Sequence, residues 1–536
     1  MVTAFATTML AEACTGTIGG ERREADSTEG DCGPALIARR IWKLTPEQHE
    51  ASLAHALGTE AAEGAALALA SSLTLEDRAF RNESDALDMS EAHVDRLFRV
   101  AEAAAATLSD SREDVAACLA APGQLDETCA SSFVRSWGRR AFRRPLTNEE
   151  VERYSRRFQR WAEEDGIGVA TERLMVGMLM SPLFMYRTEL GPPEADAQPG
   201  PVHLTAYETA SALSYLITNG PPDDDLLAKA EAGKLAPGAD LRAAAEGLLN
   251  DPTGGDGVRQ FYREYLGYDA IDKVGKDTEH HPSFDESLAS AMKEETDLFV
   301  SSVLWGPTPT LRELLTANYS VINQPLAGLY GLDDVEGHEF RRVELGPPRA
   351  GILTQPSVMG VLARNKDSDI VIRGKFMREK LLCAGVPPPP ADVNAVLPEP
   401  DEGLTQRQHL ESVHLVDGCI ACHELLDPFG YPFESFDAIG AIRTHDRGLA
   451  IDTTGQVRGT SADFSYDAAD DFIHQLVELD EVAPCFASHL IQYVEGIRLG
   501  PAVECLSEDM GVKGSDLDLR QAMLALVSHP SFTVRK

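Results

Sequence analysis

Thr147-Asn-Glu-Glu-Val-Glu-Arg-Tyr-Ser-Arg-Arg-Phe-Gln-Arg-Trp161 sets the fold class of this chain. Thr147 followed three residues later by Glu150 is a capping box, in which the hydroxyl and the carboxylate each take a free N–H of the first helical turn. Val151, Tyr154, Phe158 and Trp161 then recur three or four residues apart, so they share one face while Arg and Glu occupy the other. Working outward, Thr205-Ala-Tyr-Glu208 repeats the device for a segment carrying Leu213, Leu216 and Ile217, which Asn219-Gly-Pro-Pro222 stops. Helical patterns follow at 288–304, 472–479, 486–494 and 519–527. Strand-like runs are confined to 340–345 and 451–457. The expected fold class is mainly α, a multi-domain helical array with few short strands.

Breaks in composition divide the array. Gly191-Pro-Pro-Glu-Ala-Asp-Ala-Gln-Pro-Gly-Pro201 reads as a surface linker, and Val386-Pro-Pro-Pro-Pro390 opens a second that runs to Glu402 in an extended polyproline conformation. A weaker break spans Gly20 to Gly33. The expected divisions are 1–33 (a signal-like, lipoprotein-like or disordered segment), 34–110, 111–190, 202–335, 340–447 and 461–536. No internal repeat is evident.

Chemistry concentrates in Cys419-Ile-Ala-Cys422-His423. Two thiols at this spacing can add to the two vinyl groups of a haem, and the following imidazole is then held under the iron as axial ligand. With 9 Cys and 14 His in 536 residues, the pattern arises by chance only about 0.004 times, so coincidence explains it poorly. A zinc half-site lacks a second Cys-x-x-Cys or a His-x-x-x-His run, and a redox Cys-x-x-Cys lacks a thioredoxin-like surround. The expected cofactor is one covalent haem c on a small domain at 340–447, with His423 as the iron ligand.

Such attachment takes place outside the cytoplasmic membrane, and the other cysteines fit an oxidising compartment. Cys118 with Cys129, across Ala-Pro122-Gly123-Gln, and Cys485 with Cys505 are the expected disulfides. Leu10-Ala-Glu-Ala-Cys14 after an apolar start loosely matches a lipoprotein signal, although Glu12 stands where a small residue is expected, so Cys14 is a candidate lipid anchor. An ordinary tail, or a start upstream of Met1, reads the same residues equally well. The expected location is exported, periplasmic or on an outer-membrane or cell surface. No later stretch is long and apolar enough to span a bilayer. A net charge of −38 and a pI near 4.7 exclude nucleic acid as a natural partner, because phosphate binding needs the opposite sign.

Arg139-Arg-Ala-Phe-Arg-Arg-Pro-Leu-Thr147, Leu204-Thr-Ala-Tyr-Glu208, Gly351-Ile-Leu-Thr-Gln355, Arg373-Gly-Lys375, Leu381-Leu-Cys383 with its proline run, and the stretch from Cys419 to Gly440 resemble the planctomycete-type cytochrome c-associated multi-domain proteins. That family is a serial array of domains of unknown function (1587-like, 1595, 1592, 1588 and 1585). The likeness includes Trp42-Lys-Leu-Thr-Pro-Glu-Gln48 in the opening helical domain and a closing helical domain after about Ser461. It implies a haem-bearing domain within a helical, exported protein. In one place the chain departs from the pattern: where related chains carry Thr-Ser-Pro or Ser-Ser-Pro, it reads Ala363-Arg-Asn-Lys-Asp-Ser-Asp-Ile370, which would make any haem pocket beside that loop more polar.

Beyond the motif, Phe429, Tyr431, Phe433 and Phe436 offer a wall for a flat macrocycle, or equally the core of a small domain. Arg443, or Arg373 with Lys375, are candidates to pair with haem propionates, against ordinary surface roles. Met359, Met377, His445, His474, His489 and Met510 are candidates for a sixth iron ligand, and spacing does not choose among them. A closed iron means electron transfer with a redox partner protein, whereas an open one means peroxidase- or oxygenase-type chemistry on an extracellular substrate. A structural or interaction protein is the third reading. Two weaker constellations, His280-His281 with Glu294-Glu295 as a metal site and Asp223-Asp-Asp225 as a calcium-friendly turn, read better as an amphipathic helix beside a loop and as an acidic helix start.

Overall fold

The computed structural model describes residues 37–58, 80–83, 90–109, 117–119, 125–193, 200–251, 254–386, 403–414 and 419–536. The readings on Met1 to Cys14, on Gly20 to Gly33, on Pro122-Gly123 and on prolines 387–390 fall outside them. Helix accounts for 59% and strand for 8%, so the expectation of a mainly α protein holds.

The first helices form around their caps. A strand β1 (Arg40–Lys43) leads into α1 (Pro46–Leu57), where Thr45 and Gln48 form a capping box. Then come α2 (Glu91–Ser109), α3 (Glu127–Phe142), α4 (Asn148–Asp165) and α5 (Ile167–Leu179). Thr147 and Glu150 make the expected capping box of α4, and Val151 and Phe158 are buried from its apolar face. With Phe133, Trp137, Leu174 and Met178 they build one apolar core. The strand β2 (Tyr186–Glu189) returns antiparallel to β1.

The rest of the chain is organised around a second, larger core. In order come β3 (Val202–His203), α6 (Ala206–Thr218), α7 (Asp224–Glu231), α8 (Ala239–Leu249), α9 (Asp256–Leu266), α10 (Glu286–Leu304), β4 (Tyr319–Ile322) and β5 (Arg341–Glu344). Then come α11 (Ile370–Phe376), a π-turn (Met377–Leu381), α12 (Gln406–His414) and α13 (Ile420–Gly430). The chain closes with β6 (Gly455–Val457), β7 (Phe464–Tyr466), α14 (Ala469–Leu476), α15 (Val482–Glu495), α16 (Pro501–Met510), α17 (Leu519–Ser528) and β8 (Val534–Arg535). The segments 202–335, 340–447 and 461–536 contribute to the same apolar core, through Leu213 and Phe261, Val358 and Phe433, and Phe472 and Phe486 among others. The strands are all two-stranded antiparallel pairs; β8 closes on β3, and the buried Glu189 accepts from Arg40 at 2.7 Å and Arg535 at 2.8 Å, tying the early and last strands together.

Helices α11 and α13 pack antiparallel with almost nothing between them. A Cβ at Gly374 would collide with the Leu426 carbonyl, and one at Gly430 with the Ile370 carbonyl, so the two glycines let the backbones touch. Backbone cannot yield as a side-chain tip can. Gly374→Ala is therefore expected to destabilise by about 2–3 kcal/mol, the upper end for an overpacked core, read as a lower urea midpoint at unchanged slope.

One expected disulfide forms and the other does not. Cys118 is bonded to Cys129. Cys485 is bonded to Cys383 rather than Cys505, because the first turn of α15 faces the end of the π-turn, where the Cα atoms of Cys383 and Cys485 lie 5.4 Å apart. Cys505 is itself disulfide-bonded, to a partner outside the described residues.

The histidine-glutamate constellation does not converge. His280 bonds Asp277 at 2.7 Å, His281 donates to the Lys366 carbonyl at 2.8 Å, and Glu294 is exposed. Asp223 caps α7 by accepting from the Leu226 N–H at 2.7 Å, as an acidic helix start should. Glu295 is buried, with Oε1 accepting from the hydroxyls of Ser320 and Tyr330. Burial pushes its carboxyl up to about 7, outweighing those hydrogen bonds and Arg349. A carboxyl raised from 4.5 gives its full stability below that value and loses it as pH climbs through about 7. Glu295→Gln is expected to gain about 2–3 kcal/mol on the parent between pH 5 and pH 8, seen by denaturant titration at both.

Candidate functional site

The site is built on the first turn of α13. Cys419 sits at its N-cap, and the N–H groups of Cys422 and His423 both donate to the Cys419 carbonyl at 3.2 Å. Residues three and four apart on a helix share a face, so both thiols and the imidazole emerge together. Cys419 and Cys422 are the free cysteines among the described residues, both partly exposed, whereas Cys118, Cys129, Cys383 and Cys485 are consumed in disulfides.

Asp427, one turn below His423, fixes the imidazole. Its Oδ1 lies 3.0 Å from His423 Nδ1, and its Oδ2 lies 2.7 Å from Nδ1 of His414 at the end of α12. The two rings stack with centroids 3.5 Å apart and planes 26° apart. Burial works against the Asp427 charge, but the hydrogen bonds from His414 and then His423 more than compensate, and the carboxyl lies below its ordinary range. An ionised carboxylate only accepts, so each Nδ1 carries its proton, and Nε2 is the ring nitrogen left for another partner. His423 is thereby presented with Nε2 ready to bind a metal. One nitrogen held by a carboxylate and the other open is the usual arrangement of a ligating histidine.

The other residues singled out in the sequence are distributed around this helix. Phe429, Phe433 and Phe436 are buried in the main core, the first two edge-on to Phe472 at 5.9 and 5.6 Å. Tyr431 belongs to a small cluster with Ile370 and Leu410, beneath the Arg407 guanidinium at 4.0 Å. Arg443 bonds Ser368 at 2.8 Å and Glu434 at 3.1 Å, and pairs with Asp446 at 3.3 Å. Arg373 is fully buried and donates to the carbonyls of Phe433, Phe436 and Asp437 at 2.6 to 2.9 Å, clamping the turn after α13. Lys375 is exposed beside Glu379, 3.8 Å away. Met359 and Met377 are fully buried in the main core and Met510 packs at its edge. His445 and His474 are exposed, and His489 is buried with Nε2 3.8 Å from Cys383 Sγ.

The divergent loop 363–370 lies at the far end of α13. Ser368 there bonds Glu434 at 2.6 Å and Ile370 meets Gly430. Eleven residues at about 1.5 Å each separate that end from Cys419 by ~16 Å, so the charged loop borders the base of the helix rather than its thiols. Asp427-Pro428 with Gly430 reads as a turn in the sequence, whereas the structure keeps Asp427 and Pro428 inside α13, and His414 carries no sequence signal at all. The i, i+4 spacing of His423 and Asp427 was a usable signal for their pairing; His414 reaches the site on another helix.

Three family models match the chain in series. PSD5, a protein of unknown function (DUF1595), covers residues 129–189; PSD4, a protein of unknown function (DUF1592), covers 204–332; and PSCyt3, a protein of unknown function (DUF1588), covers 349–446. Their order and identities are those of the three middle domains of the resemblance, 1595, 1592 and 1588. The chain carries the planctomycete cytochrome c-associated domain series. Within that series, the PSCyt3 domain holds both α11 and α13, and with them Cys419, Cys422, His423 and Asp427. Neither the curated proteins nor the solved structures hold a match.

Proposed function

We propose that this member of the planctomycete cytochrome c-associated series is an exported c-type cytochrome that passes electrons to a redox partner protein through one covalent haem. The observation that carries the reading is the first turn of α13. Two uncommitted thiols and an imidazole share one face there, while the other described cysteines are oxidised. Cys419 and Cys422 would hold the group through thioethers, and His423 Nε2 would be its axial ligand. Haem held this way supplies a one-electron iron couple. Asp427 keeps the proton on His423 Nδ1 and the ring in place, with His414 sharing its charge. The disulfides support a compartment outside the cytoplasm, in keeping with a periplasmic or cell-surface location and with Cys14 as a candidate lipid anchor. No helix among the described residues is long and apolar enough to cross a membrane.

A second reading has its own support. The Asp427 carboxylate makes His423 a stronger donor, a tuning that suits oxidative chemistry by a haem-dependent enzyme of peroxidase or oxygenase type. Expression with an export signal and haem-maturation machinery separates the readings. One covalent haem per chain by pyridine haemochrome, with a six-coordinate spectrum indifferent to peroxide, is expected for electron transfer. A five-coordinate, high-spin iron that turns over peroxide selects the enzyme, and absence of covalent haem overturns both.

A further inference from the structure

Arg378 lies on the π-turn that prolongs α11, and its guanidinium lies over Phe429 of the helix that carries the Cys-x-x-Cys-His motif. It is 6% exposed, yet neither Nε nor Nη1 has a hydrogen-bond partner among the described residues. Burial is what lowers its pKa, with no neighbouring carboxylate acting against it. The nearby arginines differ in degree: Arg373 leaves only Nε unmatched and gives Nη1 and Nη2 to carbonyls, and Arg443 is held by Glu434, Asp446 and Ser368. What Arg378 does meet is the Phe429 ring, 5.4 Å from its guanidinium carbon. Phe429, Leu426 and Cys422 fall three and four residues apart on α13 and so share one stripe. Gly374, one turn before Arg378, is pressed on the Leu426 carbonyl, and the helices run antiparallel, so the π-turn continues toward the end that bears Cys422.

A buried guanidinium without an anion is strongly unfavourable, and an aromatic face offsets only part of that. We infer that Arg378 receives a carboxylate of the haem held at Cys419 and Cys422, namely a propionate, through charge-assisted hydrogen bonds. The inference rests on the proposed haem and replaces Arg443, Arg373 and Lys375 in that role. It explains why this cation is buried on Phe429 of the motif's own helix, whereas Arg443 and Arg373 are held by protein groups and Lys375 is exposed.

The test compares the parent with Arg378→Met and Arg378→Lys as matured holoproteins. Arg378→Met should retain covalent haem, since the thiols hold it. It should favour oxidised iron about tenfold more at a fixed poise, a fall of about 59 mV for one electron, because positive charge beside the iron stabilises the reduced form. Its potential should also become pH-dependent between about pH 5 and 8 as the released propionate titrates. Arg378→Lys keeps the charge and loses the fork, so it should shift the same way by less, and it supplies the measurement if the Met variant fails to accumulate. In a haem-free Cys419→Ala/Cys422→Ala background, Arg378→Met should raise the thermal midpoint, since an unpaired buried cation is gone. A holoprotein Arg378→Met with the parent's potential and pH profile overturns the inference alone; a parent without covalent haem overturns the haem reading and this inference with it.

Discussion

Cys419→Ala with Cys422→Ala is expected to give a folded protein with no covalently bound haem. Both thiols are partly exposed at the start of a helix and belong to none of the apolar cores. In the haem-free chain the substitutions themselves should change stability by no more than about 0.5 kcal/mol, as for surface positions generally, and any larger loss against the matured parent reports contacts made by the haem. The fold and the haem therefore separate cleanly in one experiment. Circular dichroism should match the parent, while haem stain on a denaturing gel falls from one equivalent to background. Each single variant should keep one thioether and hence some stain, with the pyridine haemochrome band displaced toward that of a haem retaining one vinyl group. Covalent haem unchanged in the double variant would show that the motif is not the attachment site.

Cys383→Ser with Cys485→Ser is expected to lower stability by about 3–5 kcal/mol, since their disulfide closes a loop of 102 residues and loop closure of that length removes much of the unfolded chain's entropy. The loop contains α12, α13 and the motif, and the bond ties the end of the π-turn that prolongs α11 to α15 of the closing segment. A urea titration of the double serine variant against the parent measures the loss. Peptide mapping without reductant should recover Cys383 joined to Cys485; a fragment joining Cys485 to Cys505 would contradict the connectivity and the predicted loss together.

Much of the fold was legible because its causes are local. The capping boxes at Thr147 and Thr205, the acidic cap at Asp223, the helices at 288–304 and 519–527 and the short strand within 340–345 all depend on residues a few positions apart, and all form. The same holds for Cys118 with Cys129, separated by 11 residues. The pairing of Cys485 failed for the opposite reason. Nearness in sequence favoured Cys505, while the packing of α15 on the π-turn placed it against Cys383.

By itself, the sequence determined that the protein is mainly helical, where its helices begin, and that two thiols and an imidazole stand together at the start of one of them. These are consequences of periodicity and spacing, which a single helix obeys whatever surrounds it. Only the tertiary structure decided that His414 comes from α12 to share Asp427 with His423, and that Arg443 and Arg373 are consumed by Glu434 and by backbone carbonyls. It also decided that Arg378 is buried against Phe429 with Nε and Nη1 unpartnered among the described residues. Which charge is satisfied depends on what packing brings within about 3 Å of it, and helix spacing carries no information on that.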